Sequence, residues 1–334
     1  MNAVDAALDP SRSYWQRWNS PLLLGEVARI DREIVAQGLP LSLEAVLRSL
    51  VLPGNAVDAD VLTSGMVVHA RARAQRCGRP LYVLDAEAAK ALAETDLPDE
   101  NLGALRLPHE GFYIAVPPGM FHMEDPRSGT HELEGIHVCE SLVTPGMARA
   151  EVVPGPAVDL VLIGRAKGSR KAWLGFEEPE DSIRFVTLGA WSRPERIFQS
   201  PVDRASLHLV VNLLWALENG YLATERVEPP KPKSPGKLKI LARRGWGLHP
   251  YTTIRLGKKA HVAREGSEGP GGGVRAHTVR GYWNRYWVLV PDSPTYGTKT
   301  REDGKVLHAV RRWIPPSVRG QGETPESKQY RVRL

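Results

Sequence analysis

The stretches GIHVCESLVT at residues 135–144 and VDLVLIG at residues 158–164 decide the fold of the centre of this chain. Both runs are rich in valine, leucine and isoleucine, and the turn signals TPG and PGP lie between them. Short apolar and β-branched runs separated by such turns are typical of antiparallel strands. Similar runs extend outward over residues 105–188, so we predict a meander of antiparallel strands there.

Helical patterns flank the predicted sheet on both sides. Apolar residues recur at helical spacing over residues 21–37, and Gly38 fits the position just beyond that helix. Further predicted elements are helices at 43–52 with Ser42 as cap, at 58–76, at 86–95 with Asp85 as cap and at 201–219 before Gly220, and a strand at 80–84. The expected fold class is α+β, with a helical N-terminal part and an antiparallel sheet.

The last third of the chain differs from the rest in charge. Residues 1–228 contain 22 Lys and Arg against 31 Asp and Glu, a net charge of −9, whereas residues 229–334 contain 22 against 7, a net charge of +15. Residues 229–240 are rich in proline and lysine, which is typical of an extended linker. We therefore predict an acidic α+β domain at 1–228 that recognises a peptide or partner, a linker at 229–240 and a small basic β-rich domain at 241–334.

Alternating patterns in the basic domain predict a small sheet. The strands are expected within residues 251–257, 273–290 and 306–315, and residues 290–304 are expected to form a joining loop.

Composition and termini indicate a protein of the cytoplasm. The chain has 334 residues and two cysteines, Cys77 and Cys139, which are too few for a disulfide framework and are expected to be buried thiols. The first residues lack the basic and apolar regions of a signal peptide. No apolar run approaches the roughly 20 residues that cross a bilayer, so no membrane contact is expected. The oligomeric state is left open.

Arginines alternate with aromatic residues in two segments of the basic domain, RAHTVRGYWNRYW at 275–287 and HAVRRWIPPSVRG at 308–320. Guanidinium groups bind phosphates, and aromatic faces stack on unpaired bases, so this combination suits single-stranded nucleic acid. The predicted nucleic-acid-binding residues are Arg275, Arg280, Tyr282, Trp283, Arg285, Arg311, Arg312 and Arg319. In contrast, Trp287 and Trp313 are predicted to lie in the core of the β-domain.

Two histidines of the same segments, His277 and His308, form a candidate acid–base pair. Neutral and protonated imidazoles coexist near pH 7, so two of them could activate a 2′-hydroxyl and cleave RNA without a metal. The alternative is that both are structural histidines with satisfied hydrogen bonds.

No metal or cofactor site is predicted. His131 and His137 in HELEGIH are six residues apart with Gly135 between them, whereas the metalloprotease motif needs histidines four residues apart on a helix. The glycines at 271–273 open a predicted strand and not a helix, so they lack the helix N-terminus of a phosphate-binding loop.

The chain resembles a family carried by phages and conjugative plasmids. The resemblance rests on Arg275-x-His277-x-Val279-Arg280-Gly281-x-Trp283, on a second motif from Trp313 to Arg319-Gly320, and on ordered matches such as YVLD at 82–85 and LVVNLLWALENG at 209–220. The family is that of the type V-A anti-CRISPR protein that depletes its target nuclease by triggering loss of that nuclease's messenger RNA during translation.

The resemblance implies a regulator that binds RNA or the translating ribosome and recognises the nascent polypeptide of a CRISPR nuclease. Tyr282 stands where the family has its second motif histidine, which favours binding of RNA over its cleavage. Two alternatives stay open: a ribonuclease using His277 and His308, and an inhibitor that binds a CRISPR nuclease directly.

Overall fold

The computed structural model describes fourteen stretches of the chain: residues 21–50, 59–97, 106–125, 129–143, 155–164, 170–173, 176–179, 182–188, 201–228, 250–257, 277–279, 282–291, 295–314 and 317–319. The predicted linker at 229–240 lies outside them, so the domain limits 1–228 and 241–334 stay a prediction. The segment ARAEVVP at 148–154, part of the predicted meander, also lies outside the described stretches.

Five helices are described, and all five agree with the predicted positions. They are α1 (Pro21–Ala36), α2 (Leu43–Leu50), α3 (Ala59–Arg76), α4 (Ala86–Ala93) and α5 (Pro201–Glu218). Ser42 caps α2 as predicted, because the backbone N–H of Ala45 donates to its hydroxyl over 3.2 Å. Gly38 and Gly220 follow α1 and α5 with φ of 69° and 68°, a left-handed conformation that ends a helix and favours glycine. None of the described helices is long and apolar enough to cross a membrane.

Fifteen strands are described. They are β1 (Leu81–Leu84), β2 (Gly111–Ala115), β3 (His122–Asp125), β4 (Gly129–Val143), β5 (Gly155–Gly164), β6 (Arg170–Trp173), β7 (Phe176–Pro179), β8 (Ser182–Leu188), β9 (Leu222–Val227), β10 (Tyr251–Leu256), β11 (His277–Val279), β12 (Tyr282–Val288), β13 (Thr295–Thr300), β14 (Val306–Ile314) and β15 (Ser317–Arg319). Together with the helices they confirm the α+β class.

The chain forms two compact units, each assembled from three segments. The first unit comprises Met1–Ala86, Leu107–Ile197 and Glu225–Thr253. The second comprises Glu87–Arg106, Phe198–Thr224 and Ile254–Leu334.

The predicted meander forms most of a large sheet with the order β8-β5-β4-β2-β1-β10-β9, and β3 pairs with β4. The pairs β2–β4, β4–β5 and β5–β8 are antiparallel, which confirms the prediction for 105–188. The neighbouring pair β1–β2 is parallel, so the sheet as a whole is mixed. We expected β10 in the small sheet of the last third, and this was wrong: it lies in the large sheet, because alternation marks a strand but does not choose its partner.

The core of the first unit lies where α3 packs on the large sheet. Met66, Val67 and Ala70 of α3 are buried against strand residues that include Val161 and Ile163. A second apolar cluster joins α1, α2 and the other side of α3, with Ile30, Val46 and Val68 fully buried. Helix α3 is therefore covered on two sides, which explains why its residues 65–72 are all buried.

The second unit contains α4, α5 and two small antiparallel sheets. One sheet has the order β12-β14-β13, and the other pairs β11 with β15. Strand β13 occupies part of the predicted loop at 290–304. Gly297 and an irregularity in the pairing with β14 interrupt its alternation. The sequence pattern therefore did not predict this strand.

We predict that Gly111 is required for the packing of α3 on β2. A Cβ atom on Gly111 would lie 2.5 Å from the backbone nitrogen of Ala74 and 2.7 Å from Cβ of Arg73, so helix and strand would have to separate. Gly111→Ala should lower the free energy of unfolding, measured by urea denaturation, by about 2 kcal/mol.

The matched control is Gly25→Ala in α1, where no atom lies within 4 Å of the added Cβ. This change should raise the free energy of unfolding by about 0.5 kcal/mol, since alanine favours a helix. Equal stability of the Gly111→Ala and wild-type proteins would contradict the close approach.

Candidate nucleic-acid interface

In the pairing of β12 with β14, the arginines and aromatic residues of the two segments lie on two opposite faces of the sheet. Residues directly opposite each other in an antiparallel pair project from the same face. Trp283 faces Trp313 and Arg285 faces Arg311, whereas Tyr282, Asn284 and Tyr286 alternate with them. We call the face with Tyr282, Asn284, Tyr286, His308 and Arg312 the outer face, and the opposite face the inner face.

The inner face is a packed aromatic cluster around Trp283. Its ring contacts Trp215 of α5 edge-on at 5.9 Å between centroids, contacts Tyr221 edge-on at 5.8 Å, and stacks on Trp313 at 6.2 Å. The guanidinium of Arg311 lies 4.5 Å from the ring centroid of Trp215. Contacts of these kinds stabilise a core beyond the area they bury, so we assign Trp283 and Arg311 a structural role.

The indole N–H groups of Trp283 and Trp313 both have acceptors within the second unit. Trp283 donates to Oδ1 of Asn212 over 2.9 Å, and Trp313 donates to the hydroxyl of Thr95 over 3.0 Å. The Asn212 side chain also donates to the carbonyls of Leu92 and Thr95 over 2.9 and 2.8 Å. The buried network therefore ties the sheet, α5 and the end of α4 together.

The outer face exposes aromatic rings beside a cation. Tyr282 and Tyr286 are 38% and 37% exposed. The guanidinium of Arg312 lies 5.1 Å from the ring centroid of Tyr286, and the amide of Asn284 donates to the Tyr286 hydroxyl over 3.3 Å. His308 lies half-buried on the same face, opposite Val288 and Thr298. Flat rings, a guanidinium and an amide are the groups that bind unpaired bases and phosphates.

The inner face also has an exposed aromatic residue, Trp287, at its end. Trp287 is 37% exposed, and the ammonium of Lys299 lies 4.4 Å from its ring centroid. The prediction that Trp287 belongs to the core was therefore wrong. The same prediction for Trp313, which is 1% exposed, is confirmed. The two tryptophans differ in exposure because Trp313 packs against Tyr221, which follows α5, whereas Trp287 lies near the other end of β12.

The structure places the other predicted residues as follows. Arg275 and Arg280 lie outside the described residues. His277 on β11 is paired with Arg319 on β15, and only the backbone of these two residues is described. Arg285 is exposed on the inner face. Of the residues predicted to contact nucleic acid, Tyr282 and Arg312 lie on the outer face together with His308. Trp283 and Arg311 lie on the inner face.

Two residues of these surfaces were missed in the sequence. Tyr286 lies two residues from Asn284 and four from Tyr282, a spacing that puts all three on one face of a strand. Lys299 lies on β13, within the segment that was expected to be a loop.

The model of the AcrVA2-like family, described as the anti-CRISPR type V subtype A2 family, matches residues 82–318, well over half of the chain. The chain belongs to the AcrVA2-like family. The predicted resemblance is thereby confirmed at the level of a type V-A anti-CRISPR family, and the matched range includes the whole outer face.

Among solved structures, the chain of this AcrVA2-like protein is similar to one described as the crystal structure of AcrVA2. The two share 14% sequence identity with a TM-score of 0.45, over 87% of this chain and 92% of that chain. No curated protein matches the chain.

We predict that Asn212 is the central polar residue of the second unit. Asn212→Leu keeps most of the side-chain volume but leaves the Trp283 N–H and the two carbonyl acceptors without this partner. The free energy of unfolding should fall by about 3 kcal/mol in urea denaturation.

Asn284→Ala is the control, because Asn284 lies on the exposed outer face. It should change the free energy of unfolding by no more than about 0.5 kcal/mol. Equal effects of the two substitutions would show that the buried network does not stabilise this unit.

Proposed function

We propose that this AcrVA2-like protein binds single-stranded RNA through the outer face of β12 and β14, and that this binding serves to lower the messenger RNA of a CRISPR nuclease. The observation that carries the proposal is the exposed pair Tyr282 and Tyr286 with Arg312 beside the second ring.

The arrangement of these side chains matches the needs of a single strand. Tyr282 and Tyr286 are four residues apart on one strand, so their Cα atoms are roughly 13 Å apart along it. Two unpaired bases could stack on these rings while the intervening backbone passes Arg312 and the Asn284 amide. Base stacking on an aromatic side chain contributes about 1–3 kcal/mol per base, and it tolerates any base.

The charge of the chain supports a polyanionic partner. Residues 229–334 have a net charge of +15, and Lys299, Arg301 and Lys305 are exposed within the described part of that segment. A charge of this size attracts RNA from a distance and adds a binding energy that salt weakens.

The link to a nuclease message rests on membership of the anti-CRISPR family. We infer that the RNA-binding face engages the message or the translating ribosome, while the acidic residues 1–228 supply the surface for a nascent polypeptide. The net charge of −9 over those residues disfavours RNA and leaves a protein partner as the better match.

Fluorescence anisotropy with a labelled single-stranded RNA tests the proposed face. Tyr286→Ala should weaken binding about tenfold through the lost stacking, whereas Tyr286→Phe, which keeps the ring, should bind like the wild type. Arg312→Ala should also reduce the slope of log K against log salt by about 0.7, the value for one lost phosphate contact. Arg204→Ala, which removes an exposed arginine of α5, is the charge-matched control and should leave affinity and slope nearly unchanged.

Absence of salt-dependent binding to any RNA by the full chain would overturn the proposal. The two alternatives also give distinct results. Cleavage of labelled RNA in EDTA that is lost in His277→Ala would favour the ribonuclease, and a stable complex with the nuclease formed without RNA would favour the direct inhibitor.

A cellular experiment tests the proposed outcome of binding. Cells that translate a CRISPR nuclease should contain less of its messenger RNA when they express the wild-type chain than when they express Tyr286→Ala. A pull-down of the chain should recover ribosomes and that one message. Equal message levels with both chains would show that binding at this face does not control the message.

A further inference from the structure

Three potential metal ligands meet in the core of the first unit. Cys139 on β4 and Asp159 on β5 are directly paired across the sheet, so their side chains project from the same face. His69 lies on α3, which packs on this face. All three side chains are buried, with exposures of 0% for His69 and Cys139 and 1% for Asp159.

The three donor atoms converge on a single volume. Nδ1 of His69 lies 3.9 Å from Sγ of Cys139 and 3.9 Å from Oδ2 of Asp159. All three ligand atoms lie within 4.8 Å of one another. Two ligands of one tetrahedral zinc ion are separated by about 3.4–3.6 Å, given bond lengths of about 2.0–2.3 Å. The two separations from Nδ1 of His69 exceed this by a few tenths of an ångström. The separation from Cys139 is within reach of a hydrogen bond to sulfur, whereas the separation from Asp159 is too long for a nitrogen–oxygen hydrogen bond.

The electrostatics of the cluster differ from those of an ordinary core. Burial, with the positive charge of Arg73 as a smaller cause, lowers the pKa of His69 to about 3. Burial, and then the charge of Asp159, raises the pKa of the Cys139 thiol well above its usual range.

We propose that His69, Cys139 and Asp159 bind one zinc ion that stabilises the first unit. A thiolate and a carboxylate neutralise the two charges of Zn²⁺, so the bound cluster carries no net charge in the core. Nitrogen, sulfur and oxygen donors together are the set that zinc accepts, whereas magnesium and calcium require oxygen ligands. The cluster is distinct from the outer face, so the proposal does not depend on the proposed function.

A cysteine–histidine–aspartate catalytic triad does not fit this geometry. A triad needs the nucleophile and the orienting carboxylate on different nitrogens of the imidazole. Here Cys139 and Asp159 both lie nearest the same atom, Nδ1 of His69. With all three groups shielded from solvent, a substrate could not reach the thiol.

The burial of the ligands implies that zinc enters during folding. Sites of this kind couple metal binding to the stability of the fold, because the unfolded chain does not hold the ligands together. Protein that folds without zinc should therefore be less stable, and protein that folds with zinc should retain it after brief treatment with a chelator.

The test is metal analysis of the full-length chain refolded with zinc and then dialysed against metal-free buffer. Mass spectrometry of metals should find roughly one zinc per wild-type chain. Cys139→Ala and Asp159→Asn should lose most of it, whereas Cys77→Ala, which removes the half-buried cysteine outside the cluster, should retain it. Refolding with cobalt should give the absorption of a thiolate–cobalt charge transfer in the wild type and not in Cys139→Ala.

A thermal measurement on the wild type keeps the proposal testable if a variant fails to fold. The melting temperature should be higher after refolding with zinc than after refolding with a strong chelator. Any of three results would overturn the proposal. The wild-type protein could be metal-free after refolding in zinc, its melting temperature could be the same in both conditions, or Cys139→Ala could contain as much zinc as the wild type.

Discussion

The second unit depends on hydrogen-bond acceptors for two indole N–H groups, that of the buried Trp313 and that of the half-buried Trp283. Trp283 and Trp313 can pack beside α5 only because Asn212 and Thr95 accept their hydrogen bonds. An unpaired buried donor would cost roughly 1–3 kcal/mol, so this pairing fixes which face of β12 and β14 turns inward. The strand geometry then leaves the alternate residues, Tyr282 and Tyr286 among them, exposed on the other face.

This partition explains how far the sequence could predict the site. The arginine and aromatic spacing correctly located the strands and predicted that Trp313 is buried. It could not separate exposed residues from core residues, because both faces carry arginine and aromatic residues. Arg311 and Arg312 are adjacent in sequence, yet one contacts Trp215 in the core and the other contacts an exposed tyrosine. Only the position of α5, whose partners lie far away in the sequence, decides between them.

The fold of the first unit was more predictable than the contacts within it. Helix ends followed from local signals such as Ser42 and Gly38, which act within a few residues. The convergence of His69, Cys139 and Asp159 depends on residues 20 to 90 positions apart, and the strand order on pairs still farther apart, for which one sequence gives no signal. The register of β4 with β5 and the packing of α3 brought these three together, and the search for short histidine motifs could not find them.

The proposed binding of RNA to the outer face of β12 and β14 can be tested directly. Ultraviolet crosslinking of the full chain to a uridine-rich single strand, followed by mass spectrometry of the crosslinked peptides, tests it most directly, since stacked bases crosslink to the rings they touch. The account predicts crosslinks at Tyr282 and Tyr286 and none at Trp283 or Trp313, which the aromatic cluster shields. Crosslinks confined to residues 1–228, with none on β12, would contradict it.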